Sequence, residues 1–232
     1  MAKKAVFNWS GGKDSAMALY QVQQSKEFDI PYLMTSVNAT SERISMHGVR
    51  NELLEVQAKS LGLQLKKLLL PESSEMAVYE KHLFEIMNGF KKEGIDYSIF
   101  GDIFLEDLRV YREMQLQKVN MQGIYPLWKK DTRYLIEQFI DLGFKTVLTA
   151  IDESKLPKEF AGRVIDKDFL KDLPSNVDPC GENGEFHTFV FDGPNFSQTI
   201  QFEIGEIIHK MYSHDKEYGF WFCDLKLLTI AK

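Results

Sequence analysis

Residues 5 to 20 confine this chain to a small set of folds. The apolar run Ala5-Val6-Phe7-Asn8-Trp9 reads as a strand, Ser10-Gly11-Gly12-Lys13-Asp14-Ser15 as a glycine turn, and Ala16-Met17-Ala18-Leu19-Tyr20 as the first turns of a helix. A helix start carries unpaired backbone N–H groups and a partial positive charge, so it attracts phosphate. Gly11 and Gly12 have no side chain to keep an anion off the backbone. Ser10 and Ser15 add hydroxyl donors, and Lys13 adds a cation.

Spacing excludes two familiar phosphate loops. A Walker-type loop requires a glycine five positions before the Gly-Lys pair, where Phe7 stands. The dinucleotide fingerprint Gly-x-Gly-x-x-Gly does not accommodate the adjacent pair Gly11-Gly12. What remains resembles the pyrophosphate loop, Ser-Gly-Gly-x-Asp-Ser, of the N-type ATP pyrophosphatases. Those enzymes cleave ATP between the α and β phosphates and transfer AMP to an acceptor. The plainer alternative is a helix cap with a chance Gly-Gly turn.

The first half of the chain alternates strand and helix. Asp14 to about Lys26 is expected to be helical, Pro31 to Val37 a strand, Val49 to Leu61 a helix ended by Gly62, and Leu63 to Leu70 a strand stopped by Pro71. Ser73-Ser74-Glu75 opens a helix to about Lys92, Tyr97 to Phe100 is a buried strand, and Leu105 to Met121 is helical. This pattern predicts an α/β fold, Rossmann-like, with a parallel sheet covered by helices on both faces. Ligands on such sheets bind outside the carboxyl ends of the strands. The loops expected there are Ser10 to Ser15, Asn38 to Gly48, Pro71 to Ser74 and Gly101 to Glu106.

The texture changes at the turn-rich junction Gly123 to Trp128. A boundary near residue 125 divides an ATP-binding domain, 1–125, from a smaller α+β acceptor domain, 126–232. Asp131 caps a helix to Leu142, and Phe144 to Ile151 is β-rich. Asp152 to Asn195 reads as a long irregular functional stretch. Two strands, Thr199 to Lys210 and Phe220 to Ile230, flank a connection holding His214 and Gly219.

Composition excludes several classes. No apolar run approaches the ~18 residues of a membrane helix. The apolar run at the start stops at Trp9, too early for a secretory signal. Two cysteines, Cys180 and Cys223, give no disulfide framework and suit a reducing cytoplasm. A formal net charge of −6 leaves no basic footprint for nucleic acid. His82, His187, His209 and His214 show no zinc spacing with the cysteines.

Two further constellations could carry chemistry. In Asp178-Pro179-Cys180-Gly181-Glu182-Asn183-Gly184-Glu185-Phe186-His187-Thr188, carboxylates that could hold a metal, orient ammonia or accept a proton alternate with glycines. The alternative is an exposed acidic turn before a strand, Thr188 to Phe191. In the second, Gly101 to Glu113, Asp102 could bind magnesium, and Arg109 and Arg112 could reach phosphate as planar forks; solvated helix ion pairs are the alternative. His47 is a candidate by its loop position, and Cys180 could be a nucleophile, as in tRNA thiolation.

Together these stretches resemble the diphthine–ammonia ligase family, a branch of the N-type ATP pyrophosphatases, over nearly the whole chain. The resemblance rests on Ser10 to Ser15, Gly101 with Leu108 to Glu113, Pro126-Leu127-Trp128, and Gly181 to Thr188 followed by Phe189 to Pro194. The family's usual form of the last motif is Gly-Glu-Gly-Gly-Glu-aromatic-Glu-Thr; here Asn183 replaces a glycine and His187 a glutamate. The resemblance implies activation of a carboxylate as an acyl-adenylate and attack by ammonia, the family substrate being diphthine, a modified histidine on translation elongation factor 2. It implies ATP and magnesium, with Ser10, Gly11, Gly12, Lys13 and Ser15 on the phosphates, Asp14 and Asp102 on the metal, Gly101 beside them, and backbone near Val37 at adenine. Glu182, Glu185 and His187 would face the acceptor or ammonia. The acceptor is a small molecule or a modified protein side chain, and self-association is left open. The competing readings are a tRNA-modifying ATP pyrophosphatase and a nucleotide-binding module without catalysis.

Overall fold

The computed structural model describes residues 2–38, 43–44, 48–70, 76–211 and 219–228. His47, His214, Pro71 to Ser74, the expected helix start at Ser73-Ser74-Glu75 and most of the loop from Asn38 to Gly48 lie outside the described residues.

The chain runs β1 (Lys3–Asn8), α1 (Lys13–Ser25), β2 (Phe28–Asn38), β3 (Arg43–Ile44), α2 (Asn51–Ser60), β4 (Gln64–Leu70), α3 (Met76–Lys92), β5 (Tyr97–Ile99), α4 (Glu106–Gln117) and β6 (Gln122–Ile124). Then follow α5 (Thr132–Asp141), β7 (Lys145–Asp152), a 3₁₀ turn (Lys158–Phe160), α6 (Lys167–Asp172), β8 (Phe186–Asp192), β9 (Phe202–Met211) and β10 (Gly219–Leu227). Strands β4, β2, β1, β5 and β6 form a parallel sheet in that order, with the short β3 antiparallel to the end of β2. Strands β8, β7, β10 and β9 form an antiparallel sheet. The parallel α/β sheet expected from the alternation is therefore present, beside a second, all-antiparallel one.

Strand β1 is central, and its side chains alternate between two apolar layers. Ala5 and Phe7 join the layer of Leu19, Leu53 and Leu54 from α1 and α2, while Val6 joins Leu83, Met87 and Leu116 from α3 and α4. The first layer continues without a break into Val147, Leu148, Phe169 and Phe189 around the second sheet. From β1 the chain moves to one side through α1 and β2, and α3 returns it to β5 on the other side. That reversal opens a crevice at the carboxyl ends of β1 and β5. Asn8 spans it, its side-chain amide donating to Ser98 Oγ at 2.8 Å and to the Ile99 carbonyl at 2.9 Å.

Several expectations shift. Strand β2 starts at Phe28 and contains Pro31; the pairing with β1 jumps from Lys4↔Asp29 to Val6↔Tyr32, and at that irregularity a residue without an N–H is tolerated. The fourth helix ends at Gln117 rather than Met121, because Asn120 takes a left-handed φ of 54°. The junction expected at Gly123 begins inside β6, a strand of three residues, too short to show periodicity. The stretch Asp152 to Asn195 is not irregular throughout: it holds the 3₁₀ turn, α6 and β8. Asp131 caps α5 as expected, accepting from Tyr134 N at 2.7 Å.

The two sheets are joined at the glycine turn by Gln57 of α2, which is fully buried. Its amide donates to the Gly11 carbonyl at 2.9 Å and the Val190 carbonyl at 2.6 Å, and its oxygen accepts from Trp9 Nε1 at 2.9 Å. Replacing it strands buried donors and acceptors, which costs more than the bonds themselves are worth. Gln57→Leu, close to it in volume, is expected to lose about 2–4 kcal/mol of stability. Urea unfolding with an unchanged m-value measures this; a loss within about 0.5 kcal/mol would show that the residue is not a clasp.

Candidate active site

The glycine turn is shaped by what packs on it. Gly11 has φ 79°, and a Cβ there would stand 2.7 Å from Gln57 Oε1. A Cβ on Gly12 would stand 3.1 Å from the Thr188 carbonyl, and one on Gly101 2.9 Å from Ser15 N. Backbone from β8 and from the end of β5 therefore closes on the start of α1 from two sides. Strand β8 is bonded to the turn directly: Lys13 N donates to Thr188 Oγ1 at 3.0 Å, and Val190 N donates to the Gly11 carbonyl at 2.9 Å. Gly12 caps α1 without a side chain, and Thr188 of β8 takes the N–H of Lys13 at the helix start in place of a cap residue. Ser10 and Ser15 stand with their hydroxyl oxygens 3.1 Å apart.

A cavity of about 360 Å³ opens beside this turn. Ser10, Asp14, Ser15, Gly101, Asp102, Arg112 and Glu182 all line it, together with Asn8 and Trp9 from the end of β1. Met34, Thr35 and Ser36 contribute from β2, and Tyr79, Leu83 and Met87 of α3 with Leu108 and Tyr111 of α4 form an apolar end. The sequence places Val37 at this wall, but Val37 is 2% exposed and packed within β2, and its neighbours Met34 to Ser36 line the cavity instead.

Lys13 is turned away from this cavity. Its ammonium is buried, 2.7 Å from Asp14 Oδ2, 5.7 Å above the Phe186 ring, and beside a small void lined by Met17, Leu127 and Cys180. Burial opposes its charge, but Asp14, Cys180 and Glu182 around it hold its pKa above the ordinary value. Asp14 is pushed upward by burial, a shift that Lys13 opposes.

The segment Asp178 to Thr188 folds against the turn, and its carboxylates divide their labour. Asp178 accepts from Cys180 N at 2.8 Å, Glu182 N at 3.3 Å and Thr132 Oγ1 at 2.7 Å. Glu185, 2% exposed, accepts from Asp178 N at 3.1 Å, Asn183 N at 2.9 Å and Asn183 Nδ2 at 3.0 Å. These two acids staple the loop, while Gly181 and Gly184 turn it with φ of 70° and 85°. Glu185 and Asn183 are thus engaged with their own loop and do not line the cavity. Glu182 does. Burial, then the nearby Asp14, raise its pKa to about 8.

His187 sits on β8 opposite Ala150, outside the cavity lining. Burial and the neighbouring Lys13 lower its pKa to about 4, so it is neutral at pH 7. Arg112 crosses the cavity wall to an ion pair with Asp102, its guanidinium 4.4 Å from the centroid of Phe100. Burial lowers its pKa to about 10. Arg109 does not reach the cavity. It lies on the other face of α4, 4.6 Å from the Tyr125 ring and 4.5 Å from the Trp128 ring, in an open groove. Two aromatic faces hold the guanidinium there, where phosphate in the cavity is out of its range.

Cys180 is 2% exposed, its thiol donates to the Thr132 carbonyl at 3.3 Å, and burial pushes its pKa up. A nucleophilic thiol needs the opposite shift, so the thiolation role considered for it is not supported. Asp14 and Asp102 are oxygen donors on the cavity wall, the ligand type that magnesium takes with phosphates. Each now holds a cationic side chain. Among the described residues no cluster of three acidic, cysteine or histidine groups could hold a metal alone. Gln57, Thr188 and Thr35 are contributors that sequence reading missed; Thr188 closes the last motif, whereas Gln57 lies in an ordinary amphipathic helix with no local signal.

Among the described residues no helix is long and apolar enough to cross a membrane. Residues 2–122 match the family model of the diphthamide synthase N-terminal domain, and residues 131–227 that of the diphthamide synthase C-terminal domain. The chain is 25% identical over 221 residues to a diphthine–ammonia ligase of Danio rerio, covering 86% of this chain and 87% of that protein. It is 26% identical over 132 residues to a diphthine–ammonia ligase of Bos taurus, covering 54% of this chain and 49% of that protein. Among solved structures, the U34-tRNA thiolase NcsA from Methanococcus maripaludis superposes with a TM-score of 0.40 at 17% identity, covering 61% of this chain and 57% of that one, too slight a likeness to bear on function. With the two domain models together matched over residues 2–122 and 131–227, the chain belongs to the diphthamide synthase family.

Proposed function

We propose that this chain is an ATP-dependent ligase that adenylates a carboxylate, releases pyrophosphate, and joins the activated acyl group to ammonia. The relatives' name points to diphthine as the acceptor. The observation that carries the reading is the docking of β8 on the turn, Thr188 to Lys13 and Val190 to Gly11, which puts Glu182 in one cavity with Ser10 and Ser15. Residues 1–125 would bind the nucleotide and 126–232 would present the acceptor. An adenylating enzyme has to hold two substrates in line at the α phosphate, and that placement supplies much of the rate.

In the first step a carboxylate oxygen attacks the α phosphorus and the bond to the β-phosphate oxygen breaks. The start of α1 and the hydroxyls of Ser10 and Ser15 would hold the phosphate chain. Magnesium, when bound, would be held by Asp14 and Asp102 and would offset charge on the departing pyrophosphate. Lys13 keeps Asp14 and Glu182 from repelling the incoming anion. In the second step ammonia attacks the acyl carbon, AMP leaves, and one proton must be taken from nitrogen. Glu182 is placed to take it. Glu185 and Asp178 act through Glu182, fixing the loop that carries it, and His187 stays neutral behind them.

Two outcomes are expected. Turnover with a carboxylate acceptor and ammonia should give AMP and pyrophosphate on chromatography of the nucleotide products; ADP as the main product would remove the ligase reading. Glu182→Gln should bind ATP within about threefold of wild type and lose amide formation by roughly 10²–10⁴. A base works deprotonated, so wild-type amide formation, at a fixed concentration of free ammonia, should rise with pH through about 8, and the variant should lack that limb. Stability carries the same signature. The raised pKa favours the folded state below about 4.5 and is lost as pH rises through about 8, and the fall should flatten in Glu182→Gln. Unchanged pH profiles in the variant would remove Glu182 from the proton's path.

A further inference from the structure

The ion pair between Asp102 and Arg112 stands inside the cavity, and both residues line it. Arg112 projects from α4 and is seated on Phe100, the residue that follows β5. Phe100 is in turn stacked on Tyr125, with ring centroids 5.3 Å apart and planes 15° from parallel. A face-on aromatic seat holds a guanidinium in place by its plane and leaves its N–H edge directed at whatever anion is nearest. In this structure that anion is Asp102, whose side chain is 12% exposed.

Asp102 follows Gly101, which is pressed against Ser15 N at the start of α1. The guanidinium edge therefore reaches the same end of the cavity as the phosphate-binding turn. Among the described residues, the phenols Tyr79 and Tyr125 also act on Arg112, Asp14 and Glu182 share its cavity, and Asp102 is the carboxylate it pairs with.

Resting on the nucleotide-binding reading above, we propose that the Asp102–Arg112 pair is a placeholder that polyphosphate opens: Arg112 transfers from Asp102 to phosphate oxygens as a second anion-binding group. Arginine matches phosphate with two parallel N–H bonds, as it does a carboxylate, so the exchange keeps its charge compensated throughout. Asp102 is released at that moment to face a metal ion. The pair thus couples arrival of the anion to exposure of the carboxylate, and it keeps a cation buried in the cavity when no nucleotide is there.

Calorimetric titration of the full chain tests this with three probes: ATP, inorganic pyrophosphate and adenosine. Arg112→Gln should weaken ATP and pyrophosphate binding by roughly tenfold to a hundredfold, leave adenosine within about twofold, and be partly rescued by Arg112→Lys. Without magnesium, Asp102→Asn should bind pyrophosphate more tightly than wild type by several-fold, because the competing carboxylate is gone. Lys129→Gln, which removes an exposed cation on the other face of α4, should change none of these. Equal losses for adenosine and ATP in Arg112→Gln would make Arg112 merely structural and overturn the proposal. Pyrophosphate binding to Asp102→Asn no tighter than to wild type would overturn it as well, and that arm stands even if the Arg112 variants fail to fold. Absence of ATP binding by the wild type would instead overturn the nucleotide reading and this proposal with it.

Discussion

Everything at the site depends on one strand lying across one glycine turn. β8 belongs by topology to the antiparallel sheet, yet two of its residues bond the turn that starts α1 in the parallel one. Gln57 closes the same junction from beneath, through three hydrogen bonds, two to the turn at Trp9 and Gly11 and one to β8 at Val190. The backbone groups so engaged are buried, and each would be costly to leave unpaired. The junction is therefore rigid for the same reason that it is dry. The glycines follow from it: side chains at 11, 12 and 101 would collide with Gln57, Thr188 and Ser15. What reads in the sequence as room for a ligand is, at all three positions, room for the protein's own packing, and at Gly12 for its second half.

That junction also sets the electrostatics. Lys13 is the buried cation among Asp14, Asp178, Glu182 and Cys180. Two of the surrounding acids are already committed to loop backbone: Asp178 receives two N–H groups and a hydroxyl, and Glu185 two N–H groups and an amide. Glu182 is the acid of this loop that lines the cavity, and burial next to Asp14 raises its pKa to about 8. A group poised near neutrality stands beside two acids that hold the loop's shape through its own donors.

The sequence made the parallel half legible because its elements are long and their signals agree. β1, α1 and the turn between them are dictated by an apolar run, two glycines and a helical run. Right-handed crossovers leave few strand orders open, and the fold takes the order β4-β2-β1-β5-β6. The second half was harder to read. β6 has three residues, and β8 reads as a strand only from Thr188 to Phe191, because its first residues, Phe186 and His187, follow directly on an acidic, glycine-rich loop. At the cavity, Ser10, Asp14, Ser15 and Asp102 stand in motifs after strands and Glu182 in the motif before β8, and these motifs drew attention to them. Arg109 and Arg112 were not separable, since three positions on a helix place one inside the cavity and the other outside it, and only the packing of Phe100 and Tyr125 decides which. Gln57 could not be found at all: a buried glutamine on an amphipathic helix looks like an exposed one until its three partners are brought together by the fold.

The two departures from the expected acidic motif have unlike consequences. Asn183 replaces a glycine but donates to Glu185 Oε1, so it adds a bond that closes the loop and leaves the cavity wall unchanged. His187 stands where an acid was expected, on a strand buried against Lys13. A carboxylate there would add one more negative charge to the cluster around that lysine and would draw its ammonium away from Asp14. Neutral imidazole adds none, because burial and the lysine's own field keep it unprotonated at pH 7. Lys13 is then left to Asp14 and Glu182, and the cluster is less anionic by one unit than it would be with a carboxylate at that position. Under the function proposed above, that difference in charge would be felt at the cavity wall where Glu182 stands.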